Sequence, residues 1–367
     1  MAEKRSISFG YDYLILIPVI CLVGLGLVFV FSASSHLAEL RLGDSYFYLK
    51  RQSLFCILGL GLMILAKNIP YKIYSKAAYP LLLASTGLLI LLFVPGLGHK
   101  VGGASRWLRL ACFSFQPSEL AKFSLAVYMA YSMAKKGSDM GSFSKGLLPH
   151  LLVAGTFMLL IVLQPDLGTA VIIGFWVVIL LFVGGVNVLH LFSFLLVSAP
   201  VVIWLILHAD YRLKRWWAFI NPWDDPKGIG FQIIHSFLAF GSGGIFGTGL
   251  GSSKQKLFYL PEAHTDFILS IAGEELGFLG VGLIIVLFGI LIMRGIKVSL
   301  NAPDLYSSYL ALGLTCLIGL QVIVNIGVVM GLLPTKGLTL PLMSYGGSSL
   351  VLNLLAIGIL LNISSRT

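Results

Sequence analysis

Ten windows along the chain are apolar on every face and bounded by charges, prolines or glycine clusters: roughly 13–33, 51–66, 77–95, 118–134, 147–163, 167–183, 188–207, 267–293, 306–332 and 341–363. A helix needs about 20 apolar residues to cross the hydrocarbon core of a bilayer. Strands of a membrane barrel would instead show short segments of alternating polarity. The pattern therefore predicts an all-α polytopic membrane protein with about ten transmembrane helices. Residues 1–367 are expected to form a single integral membrane domain. The first window runs unbroken from Tyr13 to Phe31 and lacks a small-x-small cleavage pattern, so it is expected to remain as a helix. The long polar exception is 208–266, an extracytoplasmic loop carrying charges, tryptophans and the densest glycine cluster. An irregular segment of that length inside a compact protein usually serves function.

Composition sharpens this picture. Hydrophobic residues make up 57% of the chain and charged residues 11%, where a soluble domain carries about 25% charged. With a mean hydropathy of +0.95, a soluble two-domain enzyme, a disordered chain and a disulfide-stapled secreted module are excluded. The 25 Lys and Arg against 15 Asp and Glu leave a formal +10 that must sit in loops and at membrane faces. It points to anionic lipid headgroups or an anionic substrate, and no nucleic-acid partner is expected. An even number of spans puts both termini on one face, assigned to the cytoplasm. That topology places 11 of the 25 cations inside and 14 outside, six of the latter in the long loop. Long loops are discounted in orientation counting, and 11 against 8 leans the expected way.

Some residue types carry no assignment. Cys21, Cys56, Cys112 and Cys316 show no C-x-x-C pairing and are given no chemistry. The seven histidines lack H-E-x-x-H spacing, so no zinc site is expected and no residue is named as a metal ligand.

Spans 4, 6, 8 and 10 all begin on the outer face, and the unusual polar motifs stand at those beginnings. They are QPSELAK (116–122), QPDLGTA (164–170), PEAHTDF (261–267) and PTKGLTLPLMSYGGSS (334–349). Four positive helix ends would thus surround one outer region, although proline and small polar residues also simply start helices well. Glu119 and Lys122, three apart, share a helix face and either pair toward a cavity or form a capping ion pair. Glu274 and Glu275 either line the same cavity or hold a helix contact. In 211–232, Arg212, Lys214 and Arg215 alternate with Trp216, Trp217 and Trp223, as an interfacial belt or a clamp on phosphate oxygens. The glycine run 241–253 matches neither phosphate-loop pattern, so its glycines are expected to let the backbone turn and pack close to the helices. Asp266 stands at the boundary of water and membrane, where partial desolvation raises a carboxyl toward a useful general base. A helix cap is the other reading.

GASRW (103–107), QPSELAK, QPDLGT, NPWDDPKGIGFQ (221–232), GTGLGSSKQKLFYLPEAHTDFILSIAGEELG (247–277) and PTKGLTLPLMSYGGSS resemble, in order and spacing, the SEDS family of shape, elongation, division and sporulation proteins. The last motif looks like the cell-division branch rather than the rod-shape branch. The resemblance implies a ten-helix peptidoglycan glycosyltransferase that polymerises lipid II outside the bacterial cytoplasmic membrane, at the division septum. It also implies a class B penicillin-binding transpeptidase as partner, with other divisome proteins and membrane lipids. The family's essential loop aspartate falls on Asp266, its cavity residues on Arg106, Glu119 and Lys122, and its loop arginines on Arg212 and Arg215. His264, Lys336 and Ser344, within the same motifs, complete the candidate substrate-binding set.

The chemistry agrees with that assignment. Extending a glycan needs a sugar hydroxyl to attack an anomeric carbon while a lipid pyrophosphate leaves. Glycosidases use two carboxylates because their leaving alkoxide must be protonated. Pyrophosphate needs charge neutralisation instead, from Arg, Lys or a divalent cation. Mg²⁺ or Mn²⁺ is therefore expected, bound without a recognisable protein cage. Two other readings stand beside the enzyme: a lipid II flippase, motivated by Glu119 and Lys122 inside the membrane, and a non-catalytic scaffold for the transpeptidase. Polar groups concentrated at one face favour the enzyme.

Overall fold

The computed structural model describes residues 11–96, 98–101, 104–110, 113–256 and 263–366. Lys4, Arg5, Gly103, Cys112, Pro261 and Glu262, which enter the sequence arguments above, lie outside the described residues. The helices are α1 (Tyr13–Leu42), α2 (Phe47–Asn68), α3 (Lys72–Lys76), α4 (Ala78–Leu91), α5 (Pro117–Lys136), α6 (Leu148–Leu163), α7 (Leu167–Val183) and α8 (Val188–Leu207). They continue with α9 (Asp210–Ile220), α10 (Phe231–Gly243), α11 (Ile268–Leu300), α12 (Leu305–Val329) and α13 (Gly347–Ser364). Each of the ten apolar windows falls on one of α1, α2, α4, α5, α6, α7, α8, α11, α12 and α13. Among the described residues, seven helices are long and apolar enough to cross a membrane, and α4 and α7 are shorter apolar helices. The tenth, α5, carries Glu119, Lys122, Lys135 and Lys136 within its 20 residues.

Hydrogen bonds between distant segments fix the two faces. On one, Arg294 Nε donates to Asp12 Oδ2 (2.8 Å), and the same oxygen accepts from Ser364. There also, Tyr71 OH donates to Asp304 Oδ2 (2.6 Å) and the Tyr71 amide to Asn362 Oδ1 (3.0 Å). On the other, Gln164 Nε2 donates to the Leu89 carbonyl (3.1 Å), the Gln116 amide to Ser348 Oγ (3.1 Å) and the Tyr345 amide to the His264 carbonyl (2.9 Å). Helices α5, α7, α11 and α13 therefore all begin on this second face, as the motif positions required.

Two stretches depart from expectation. The connection before α5, to which the sequence pattern assigned no element, forms an antiparallel meander of β1 (Gly98–Val101), β2 (Ala104–Leu110) and β3 (Phe113–Phe115). Its register pairs Gly98 with Leu108 and Leu108 with Phe115. The meander is small and leaves the architecture all-α in its membrane part. The loop 208–266 is not irregular throughout, since α9 and α10 occupy much of it.

Because lipid is as apolar as leucine, close packing and buried polar contacts hold such helices together. The centre is built by α5, α12 and α13: the apolar cores of α12 and α13 are 67% and 72% buried, whereas that of α8 is 6% buried. α13 packs on α2, α12 on both α5 and α11, and α1 on α11. α8 stands at the periphery against α7 and α9. Trp176 of α7 donates to the Gly313 carbonyl of α12 (2.8 Å), and Ser85 of α4 meets Ser124 of α5 (2.7 Å).

Candidate active site

The ends of the central helices on the second face gather charged side chains around the start of α7. Asp166 caps that helix, accepting the Thr169 amide (3.1 Å) and hydroxyl (2.9 Å). Arg106, projected from β2, donates to the carbonyls of Gln164 and Pro165 and lies 3.8 Å from Asp166. Lys336 comes from the chain between α12 and α13, and its stem lies over Gly168, in the space that any Cβ there would fill. Burial, with Lys122 and Arg106 nearby, lowers the Lys336 ammonium to about 8, while Asp166 pulls the other way. One turn into α5, Lys122 donates to Glu119 Oε1 (2.8 Å), both side chains nearly buried. This pair lines a small cavity of ≈ 20 Å³ between α5, α12 and α13, together with Gln321 and Asn353. Glu119 also stands in the first turn of α5, so the ion pair both lines the cavity and sits at the helix start.

Asp266 lies in the turn that precedes α11 and is half-buried. Asn325 of α12 donates to the Asp266 carbonyl (2.9 Å) and to the Leu338 carbonyl (2.6 Å), tying this turn to the chain that carries Lys336. A methyl group placed on Gly337 would stand 3.0 Å from Asp266 Oδ2. Two residues earlier, the His264 ring packs between Tyr48 (4.7 Å between centroids) and Tyr345 (5.7 Å). The Ser344 hydroxyl accepts the Leu340 amide (2.8 Å), and its carbonyl accepts Gln52 Nε2 (3.1 Å), so this residue shapes the turn before α13.

Arg106, Glu119, Lys122, Lys336 and Asp266 are thus drawn to one region of that face. Arg212 and Arg215 are elsewhere: α9 packs against α8, Arg212 donates to the Leu205 carbonyl (2.8 Å) and Tyr211 OH (2.8 Å), and Arg215 is exposed. Asp166, Asn325, Gln321 and Asn353 were not singled out from sequence. The signal for Asp166 was the QPD motif, and for the other three a polar residue in the middle of an apolar window. Glu274 and Glu275 do not line the cavity: they hold the chain at 248–256.

Glu119 offsets Lys122, and Asp166 faces both Arg106 and Lys336, so three cations share two carboxylates beside the positive end of α7. Such a site receives an anion. Among the described residues, no three His, Cys, Asp or Glu side chains are grouped to hold a metal.

Comparison with known proteins places these motifs. Residues 12–367 match the FtsW, RodA and SpoVE family, described as cell cycle proteins. The chain is 48% identical over 356 residues to the probable peptidoglycan glycosyltransferase FtsW of Geobacter sulfurreducens, covering 97% of this chain and 95% of that one. Among solved structures, a chain from the work on structural coordination of polymerization and crosslinking by a peptidoglycan synthase complex superposes with a TM-score of 0.80, at 32% identity over 98% of both chains. The rod shape determining protein RodA of Thermus thermophilus superposes with a TM-score of 0.72, at 32% identity over 97% of both.

Proposed function

The chain belongs to the FtsW/RodA/SpoVE family of SEDS proteins, and on that premise we infer that it is a peptidoglycan glycosyltransferase of cell division whose substrate is lipid II. The placement of Asp266 against Gly337, next in the chain to the Lys336 whose stem lies over the start of α7, carries the reading, because it brings a carboxylate into the region where Arg106, Lys122 and Lys336 gather.

In the proposed reaction an acceptor sugar hydroxyl attacks the anomeric carbon of the lipid-linked donor. The new glycosidic C–O bond forms as the bond from carbon to pyrophosphate oxygen breaks. Asp266 takes the hydroxyl proton as general base. Lys336, Arg106 and Lys122 neutralise the charge that gathers on the departing pyrophosphate. His264 and Ser344 shape the walls of this region. Arg212 and Arg215, on α9, meet the substrate or lipid headgroup at the membrane surface. Mg²⁺ or Mn²⁺, if bound, would supply further charge neutralisation for the departing pyrophosphate. Asp166 and Glu119 already face Arg106 and Lys122, so the protein's share of its ligands is small.

The lipid tails stay in the bilayer. We place the protein in the bacterial cytoplasmic membrane at the septum, working as a unit with a class B penicillin-binding transpeptidase and other divisome proteins. The likeness to a chain of a peptidoglycan synthase complex supports this. Lipid II placed only in the outer leaflet of vesicles holding the protein and its transpeptidase tests the reading. Glycan polymer formed there supports the enzyme, while lipid II crossing the bilayer without polymer returns the flippase.

A further inference from the structure

Glu274 and Glu275, buried on α11 and about 1% exposed, take no part in the site described above. Neighbouring buried carboxylates persist only where donors surround them. Here the donors come mainly from one stretch of chain. Glu274 accepts the Ser253 hydroxyl and the amides of Lys254 (2.9 Å) and Gln255 (3.3 Å). Glu275 Oε1 accepts Lys256 Nζ (3.0 Å), the Ser253 amide (3.4 Å) and, from α1, the Ser32 hydroxyl (2.6 Å). The main-chain carbonyls of the same two glutamates accept the amides of Thr248 (2.9 Å) and Gly249 (3.1 Å).

Backbone meets backbone in this contact. Gly277 interrupts α11 at φ 68°, and Gly247 adopts φ 79°. A Cβ on Gly247 would run into the Glu275 carbonyl, and one on Gly277 into the Gly247 amide. Only glycine supplies both the conformation and the space.

Lys256 stands ten residues before Asp266 and Glu275 nine after it. We propose that Lys256 and Glu275, with Glu274, Ser253 and Ser32, form a positioning clip that fastens the outer loop to α11 and thereby fixes the place of Asp266 in the turn that opens that helix. Asn325 and Tyr345 hold the Asp266 turn to the chain around α12 and α13. The clip ties the same loop to α1, through Ser32, and to the body of α11. Misplacement by about 1 Å is enough to slow a positioned reaction about a hundredfold.

This inference rests on the glycosyltransferase reading, and its test separates the two. The full chain with its transpeptidase is assayed for lipid II polymerisation as wild type, K256M, K256R and E274Q, and hydrogen exchange is measured on the same samples. K256M and E274Q are expected to lower kcat about tenfold with KM within about twofold. K256R, which keeps the charge, is expected to recover most of the rate. Amides of 263–270 should exchange about tenfold faster in K256M, with α5, α12 and α13 unchanged. Unchanged exchange at 263–270, or faster exchange across every helix, overturns the clip, as does a kcat that K256M leaves intact. If the wild type makes no polymer, the glycosyltransferase reading fails and the exchange pattern alone decides the clip.

Discussion

Asp166 is the residue on which Arg106 and Lys336 depend together, since it faces the first at 3.8 Å and raises the proton affinity of the second. Asp166→Asn keeps a good helix cap but removes the charge that holds both cations in place. The expected outcome is a folded protein with an unaltered melting temperature and lipid II polymerisation reduced about tenfold or more. Lys336 gives a pH signature. Its ammonium titrates at about 8, so the charge is present below that pH and lost above it. The kcat/KM profile of the free enzyme should therefore fall on an alkaline limb near 8, and Lys336→Arg should remove the limb because guanidinium stays charged. At this scale the pairing of Glu119 with Lys122 was legible, since a spacing of three fixes a shared face. Asp166 was hidden because a helix cap and an ion-pairing carboxylate look identical in QPD, and here it is both.

The helices themselves were legible because the bilayer dictates their length. Their ends were not. α1 runs on to Leu42 because SASSHLAELRL still favours helix, and Gly43 at φ 70° stops it. The last window begins at 341, but α13 starts at Gly347, since Pro341 and Leu342, the latter at φ 66°, hold the chain in a turn. Partnership over sequence distance was equally invisible: nothing in GEELG announces that 248–256 folds back onto it. Asn325 is the link between elements most open to test. Asn325→Ala removes donors from the Asp266 and Leu338 carbonyls, with an expected loss of about 1–3 kcal/mol, read by thermal unfolding in detergent. On α9, Trp216 and Trp217 are exposed beside α8, with Trp223 just beyond, the placement of an interfacial anchor. Trp217→Ala should reduce fluorescence quenching by brominated lipids while polymerisation stays within about twofold.

Across the whole molecule, the two faces have different work. One closes on Asp12, Arg294, Asp304 and Asn362, while the other collects four helix starts and most of the candidate site. That asymmetry follows from the even number of spans and from where the polar motifs stand, and both were readable in the chain. The peripheral α8, with only 6% of its apolar stretch buried inside the molecule, presents its surface to lipid. Asp266 as the base of a lipid II polymerase is open to direct test. The most direct measurement is glycan polymerisation by the protein with its transpeptidase, wild type against Asp266→Asn, with Mg²⁺ or Mn²⁺ and after chelation. Polymer from the wild type and a loss of roughly 100-fold or more in the variant is the predicted result; equal polymer from both would contradict it.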